Sequence, residues 1–381
     1  MEKSTAKEDG SDKTPIKKAV LEQVLILDAI SDEKECIVDE VEGAVSFLSA
    51  LKKRRGFIIK RSLIAGLIIF VMTLFFSFVF WFINSFERNY PSVLNFGDIM
   101  LDRGVRNIIE KSKRDPFVNI KKEKNLLDKY DFVVVNLEGP IVEMNRSDCQ
   151  QKLYNFQFPK DSANRLKTVG INVVNIANNH TYDCFKVGLQ NTKENLTKSG
   201  VSFMGDREIE KSYVIKEVDK KKIVFIGIDV TTMPISITKF YSLIKDLKLK
   251  YDYIVVNIHW GEEYSMSQTD SQTHIAHNLV DSGADVIFGH HPHVVEPMEV
   301  YKNSVIFYSL GNFVFDQDFG NTTVGLGAGV EFKKKSLSVT VYPINIKRFT
   351  PEFMKGQEKL DFCERYLSQM QNVGCSFEVL R

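Results

Sequence analysis

The 381-residue sequence predicts an α/β domain tethered behind one transmembrane helix. Three observations predict it. Beyond residue 90, short β-branched and aromatic runs alternate with longer stretches of helical periodicity. Six of those runs end in a polar or glycine-containing motif. Residues 62–86, SLIAGLIIFVMTLFFSFVFWFINSF, contain no ionisable side chain.

Residues 1–15, MEKSTAKEDGSDKTP, are polar and poor in large apolar groups, the composition of a disordered segment. From Ile16 to Leu51 apolar residues recur at near-helical spacing, as in AVLEQVLILDAI, which predicts one or two short amphipathic helices. The apolar run Leu63–Ile83, as a helix, would rise about 30 Å, the thickness of a bilayer's hydrocarbon core. KKRR at 52–55 and Lys60-Arg61 precede it, whereas only Glu87 and Arg88 follow closely. Positive charge stays on the cytoplasmic side, so residues 1–61 are expected inside and the remainder outside. A cleavable leader is shorter and lies nearer the N-terminus, so 62–86 is expected to be an uncleaved signal anchor. Its FVFWF stretch at 78–82 reads as an interfacial aromatic belt.

The six runs are SVLNF, DFVVV, INVVNI, YIVVNI, DVIF and SVIFYS. They lead respectively into GDIMLDR, NLEGP, ANNHTYD, HWGEEY, GHHPHV and LGNFVFD. In sheets of this kind the carboxyl ends of strands converge on one edge, where ligands bind, so six motifs predict one site. KKIVFIGID at 221–229 reads as a further strand, 327–346 as an antiparallel strand pair, and Gln357–Met370 as a last helix. The folded domain is expected over 90–350, with a C-terminal helix and tail over 351–381.

The chain has seven histidines, His180, His259, His274, His277, His290, His291 and His293. Imidazole is a common metal ligand and exchanges protons near neutral pH, so the cluster points to a metal or acid/base site. Asp98, Glu138 and Asn179 add oxygen donors at the same strand ends. Oxygen and nitrogen donors without thiolate suit manganese, zinc, iron or a similar divalent ion. The set is large enough for one or two ions, which clamp an oxyanion and lower the pKa of a bound water. His274 and His277, three apart on a helical stretch, read instead as a solvated face. Fifty Lys and Arg against 49 Asp and Glu give no global charge for binding nucleic acid. Cys149, Cys184, Cys363 and Cys375 fall on the expected outer side and allow three disulfide pairings, among which Cys363 with Cys375 is the pair closest in sequence. None has zinc-site CxxC spacing.

In their order and intervals, the six motifs resemble those of the CapA family of capsule (poly-gamma-glutamate) synthesis proteins, which is similar to the calcineurin-type metallophosphoesterases. The resemblance spans roughly Val93 to Ile346. It implies a four-layer αββα sandwich of metallophosphoesterase type, two mixed sheets flanked by helices. It implies Asp98, Glu138, Asn179, His259, His291 and His293 as metal ligands, and His180 as the acid that protonates a leaving group. Arg103 and Asn312 are candidates for fixing an anionic substrate, Arg103 by its forked donors and Asn312 by its amide, unless Asn312 only shapes the strand end. His290 is either a second-layer donor or a ligand in place of His291. Gln272 and the GAD at 283–285 also fall on family positions. Two departures stand out: Met100 occupies the place of a histidine ligand, and Glu138 replaces an aspartate. By resemblance the chain acts at the membrane in synthesis, export or anchoring of an anionic polymer such as poly-gamma-glutamate, beside other capsule-synthesis membrane subunits. Two alternatives are a non-catalytic polymer-binding or assembly subunit and a metal-dependent phosphoesterase or amide hydrolase acting on another, phosphorylated envelope substrate.

Overall fold

A computed structural model of the chain describes residues 42, 43, 45–47, 69–79, 90–232 and 236–381. The chain divides into two compact units, Met1–Ser85 and Phe86–Arg381. In the first, residues 69–79 are helical and expose Ile69, Phe70 and Leu74. The rest of the expected span at 62–86 lies outside the described residues, as do the polar stretch 1–15 and most of 16–51. Among the described residues no helix is long and apolar enough to cross a membrane.

In the second unit all six runs are strands. The first sheet contains β1 (Ser92–Ile99), β2 (Phe132–Leu137), β3 (Val173–Asn175) and β4 (Ser202–Met204). The second contains β5 (Tyr213–Val218), β6 (Lys221–Asp229), β7 (Tyr253–His259), β8 (Val286–His290), β9 (Met298–Tyr301) and β10 (Ser304–Phe307). The chain then returns to the first sheet through β11 (Asn312–Val314), β12 (Val324–Phe332), β13 (Ser336–Lys347), β14 (Thr350–Phe353), β15 (Asn372–Val373) and β16 (Ser376–Leu380). The first sheet runs β15-β16-β13-β12-β1-β2-β3-β4, with β11 on β1 and β14 on β13; the second runs β5-β6-β7-β8-β10-β9. β1 to β4 and β6-β7-β8-β10 are parallel, because helices span most of their crossovers, while hairpin-linked partners such as β12 and β13 are antiparallel.

Alternation along each strand sends neighbouring side chains to opposite faces. Val93, Phe132 and Val134 of the first sheet meet Phe225, Val255 and Phe288 of the second in a core between the sheets. Leu94, Phe96, Val133 and Val135 face outward onto helix residues Val105, Ile109 and Leu166. On the far side Val224, Ile226 and Val256 pack under Ile244 of the helix Ile237–Lys248 and Leu279 of the helix Asp270–Ser282. The result is four layers, helix, sheet, sheet and helix.

Two glycines set the edge that carries the motifs. A Cβ on Gly97 would lie 1.8 Å from the carbonyl oxygen of Gly311, and one on Gly289 would lie 1.9 Å from that of Tyr308. The first close approach lets the Asp98 amide donate to Gly311 at 3.0 Å. Disulfides join Cys149 to Cys184 and Cys363 to Cys375; the second ties the last helix, Gly356–Tyr366, to the β15-β16 turn.

Candidate metal centre

Asp98 ends β1, Glu138 follows β2, and Asn179 and His180 lie in the loop after β3. His259 and His290 close β7 and β8, with His291 and His293 just beyond, and Asn312 opens β11. These strand ends bring most of the expected ligands into two groups. In the first, ligating atoms of Asp98, Glu138 and His293 all lie within 4.8 Å of one another. His293 Nδ1 is 3.3 Å from Asp98 Oδ2, and its Nε2 is 3.6 Å from Glu138 Oε1. In the second, His259 Nε2 is 3.1 Å from Asn179 Oδ1, and the His259 and His291 rings are 4.7 Å apart. The Asn136 amide links the groups, donating to Asp98 Oδ1 at 2.8 Å and lying 3.4 Å from His259 Nδ1. His290 sits behind Asp98, its Nδ1 3.3 Å from Asp98 Oδ1 and its Nε2 3.1 Å from Asn257 Oδ1.

Burial and crowding set the charges. Burial pushes the Glu138 carboxyl well above its usual range; His293 partly opposes this and the neighbouring Asp98 adds to it. Burial also disfavours charge on Asp98, but contacts with His290 and His293 outweigh it and hold that carboxyl well below its usual value. His293 is raised to about 9 because Glu138 and Asp98 together overcome its desolvation. Desolvation, reinforced by neighbouring imidazoles, lowers His291 to about 4 and drives His259 well below its usual value. His259 and His291 are therefore neutral and able to bind a metal at pH 7, while the proton shared among His293, Glu138 and Asp98 marks where positive charge is favoured.

The residues present fit a divalent ion. Glu138 Oε1 and His291 Nδ1 are buried with no hydrogen-bond partner, an arrangement that costs free energy unless something satisfies them. Their donor types are those of manganese, zinc or iron sites. The loop that presents His291 and His293 is strained, at φ 100° and 59°, and is pinned where the His291 amide donates to Asp98 Oδ2 at 3.3 Å.

His180 lies at the cleft side of the first group, its Nε2 3.9 Å from Glu138 Oε1. Its Nδ1 is 2.8 Å from Asp183 Oδ2, and burial lowers its pKa despite that carboxylate. The cleft, about 460 Å³, is also lined by Arg103, Tyr154 and Tyr264. Arg103 is on the cleft wall as a substrate-fixing residue requires, but its guanidinium is forked onto Asp316 and lies 5.0 Å from the Phe156 ring centre. Asn312 is elsewhere: fully buried, with Oδ1 3.1 Å from His293 Nδ1 and its amide donating to Gln317 Oε1 and the Thr322 carbonyl. That is the position of a residue orienting His293, with no donor left for a substrate. Met100 turns its sulfur to the Asp102 amide at 3.1 Å, so nothing at that position replaces the absent histidine. His277 pairs with Glu299 at 3.0 Å and stacks on Tyr301, and His274 contacts Asn278, both outside the site.

Four asparagines escaped the sequence reading. Asn95, Asn136, Asn175 and Asn257 are fully buried and knit the site's underside, for example Asn95 Nδ2 to Asn257 Oδ1 at 2.6 Å and Asn175 Nδ2 to Asn136 Oδ1 at 3.1 Å. The signal was present as one asparagine inside each of four otherwise apolar runs, VLNF, VVVNL, VVNI and VVNI. Asp183 was equally visible as an aspartate three residues after His180.

Glu296 completes the histidine loop from below. It is fully buried, accepts a hydrogen bond from Gln272 Nε2 at 2.8 Å, and leaves Oε1 unpartnered. Gln272 meanwhile forms a capping box with Thr269 at the start of the helix Asp270–Ser282. Burial raises Glu296 to about 7, so between its usual value of 4.5 and about 7 the folded protein binds a proton that the unfolded chain does not. This contribution to stability is fully present at low pH and is lost as pH rises through that window. Glu296→Gln keeps the acceptor oxygen and removes the charge, so it is expected to stabilise the protein by about 2 kcal/mol at pH 8 and negligibly at pH 4.5. Urea unfolding at the two pH values measures this; an equal effect at both would contradict it.

Comparison with known proteins agrees with the motif order. The family described as Bacterial capsule synthesis protein PGA_cap matches residues 92–317, more than half of the chain. The chain is 31% identical over 291 residues to the PGA biosynthesis protein CapA of Bacillus subtilis (strain 168), covering 72% of this chain and 76% of that protein. It is 30% identical over 289 residues to the capsule biosynthesis protein CapA of Bacillus anthracis, covering 70% of each. Among solved structures, a hypothetical protein from Thermus thermophilus aligns with 17% identity and a TM-score of 0.44, over 66% of this chain and 99% of that one.

Proposed function

Because the chain belongs to the bacterial capsule synthesis protein PGA_cap family, we propose that it is a membrane-anchored capsule-synthesis protein with a divalent-metal site that acts on an anionic envelope polymer such as poly-gamma-glutamate. The observation that carries the metal reading is Glu138 Oε1, buried and unpartnered between His293 and His180 at the floor of the cleft. A divalent ion held by Asp98, Glu138 and His293 would supply charge neutralisation and activation of water for hydrolysis of a phosphoester or amide bond.

The chain's own groups support such chemistry. With His180 Nδ1 hydrogen-bonded to Asp183, Nε2 is the atom left to exchange a proton in the cleft, and the Asp183 carboxylate stabilises the imidazolium that forms. Arg103 stands on the cleft wall with its fork on Asp316, and would orient an anion by exchanging that carboxylate for it. The basic flank at 52–61 and the uncharged stretch 62–86 support placing this domain outside the membrane.

A second reading is a non-catalytic assembly subunit that keeps the site to bind polymer, favoured by Met100 in the place of a ligand. The two separate in one experiment. The full-length, metal-loaded chain in detergent is assayed against phosphoesters and γ-glutamyl amides, and intact protoplasts are treated with protease in parallel. Release of product together with external digestion of the domain from residue 90 onward, whose first sheet includes the strands after residue 350, is the expected result. Full metal occupancy without turnover on either substrate class would establish the subunit reading, and a protected domain would contradict the topology.

A further inference from the structure

The wall of the cleft beside His180 is a segment without regular secondary structure. Residues 149–157 form no helix or strand; Leu153 and Tyr154 at the middle are exposed, while Phe156 is buried in the core and the Gln157 amide donates to Asp102 Oδ2 at 2.9 Å. It is further fastened to Tyr182, Asp183 and Cys184, just after His180. Cys149 is bonded to Cys184. The Gln150 amide donates to the Asp183 carbonyl at 2.7 Å, and Gln150 Nε2 donates to the Tyr182 carbonyl at 2.9 Å. Both oxygens of the Asp183 carboxylate are taken as well, Oδ2 by the Phe156 amide at 2.7 Å and Oδ1 by Lys152 Nζ at 2.6 Å. The Phe156 ring then stacks on His180 with centroids 4.0 Å apart. His180 is thus held through Nδ1 by a carboxylate that the segment aligns, and across its ring face by the same segment.

We propose that the Cys149–Cys184 disulfide is a positioning device for His180: by stapling residues 149–157 against Asp183, it fixes the imidazole that faces the metal centre. The proposal rests on His180 as the proton-exchanging group of the cleft. The Cys363–Cys375 disulfide closes a separate turn packed on the core between the sheets and serves as the internal comparison.

The test compares the full-length chain with the double variants Cys149→Ser/Cys184→Ser and Cys363→Ser/Cys375→Ser. Three quantities are measured: bound metal, turnover, and the rate at which diethyl pyrocarbonate modifies His180 relative to the exposed His274, read by peptide mass spectrometry. Freeing the segment is expected to raise His180 modification about 10-fold and to lower kcat about 10-fold with KM and bound metal little changed, because small misplacements of a reacting group are costly. The Cys363/Cys375 variant is expected to leave the relative His180 rate as in wild type. Should the Cys149/Cys184 variant not fold, Phe156→Leu keeps both disulfides and removes only the stacked ring, with about a 3-fold rise in His180 modification expected. An unchanged His180 rate in the Cys149/Cys184 variant, or in Phe156→Leu where that variant fails to fold, overturns the proposal, as does an equal rise in the Cys363/Cys375 variant. If the wild-type chain binds metal and shows no turnover, the catalytic reading fails by itself, while the modification rates still decide whether the disulfide positions His180.

Discussion

Glu138→Gln is expected to abolish the thermal stabilisation that divalent metal gives the wild-type chain. Glu138 contributes the unpartnered oxygen of the Asp98–Glu138–His293 group, and an amide of the same shape removes its charge without leaving a cavity. A ligand that binds only the folded state at 100 times its Kd stabilises that state by about 2.7 kcal/mol, several degrees in melting temperature, and this increment should vanish in the variant. The metal-free proteins should shift the other way. Without a cation, Glu138 is a desolvated carboxyl beside a second carboxylate, with its pKa pushed upward. Neutralising it should therefore relieve that desolvation and stabilise the apo fold near pH 7, less the attraction to His293 that is lost. Differential scanning fluorimetry of both proteins, with chelator and with excess manganese or zinc, separates the two effects. An unchanged metal-induced shift in Glu138→Gln would remove this residue from the site.

His180→Gln is expected to keep bound metal at the wild-type level and to lower turnover by about 10²–10⁴-fold, the usual contribution of a positioned acid or base. The imidazole stands outside the Asp98–Glu138–His293 group, 3.9 Å from Glu138 Oε1, and its Nδ1 is committed to Asp183. Losing it therefore removes proton transfer without removing a donor from that group. Asp183→Asn should give a smaller loss with metal again retained, since the imidazole stays and only its orientation and charge support go. Steady-state kinetics with elemental analysis on the same preparations measures both, and undiminished turnover in His180→Gln would place the chemistry elsewhere.

The expected strands were legible because each is a short, nearly continuous apolar run buried on both faces, and such runs read clearly in a parallel sheet. The site was legible as motifs because strand ends converge, which brought Asp98, Glu138 and His293 from positions 40 and 155 residues apart. What sequence could not supply was the direction and partner of each side chain. Asn312 occupies the expected strand end yet points its carbonyl to His293, and Arg103 reaches the cleft already paired with Asp316. The buried asparagines are hard to read because a single polar residue in an apolar run is ordinarily an exception to tolerate; four of them, on β1, β2, β3 and β7, knit together beneath the site. The pairing of Cys149 with Cys184 likewise depends on two loops meeting, a fact of tertiary structure that spacing does not encode.

The central claim, a divalent-metal centre at Asp98, Glu138 and His293 where strand ends converge, is tested most directly by elemental analysis of the purified full-length chain after dialysis against metal-free buffer. The expected result is at least one tightly held manganese, zinc or iron ion per chain that is absent from Asp98→Asn. A wild-type chain that carries no such ion, and takes none up when it is supplied, would contradict the account.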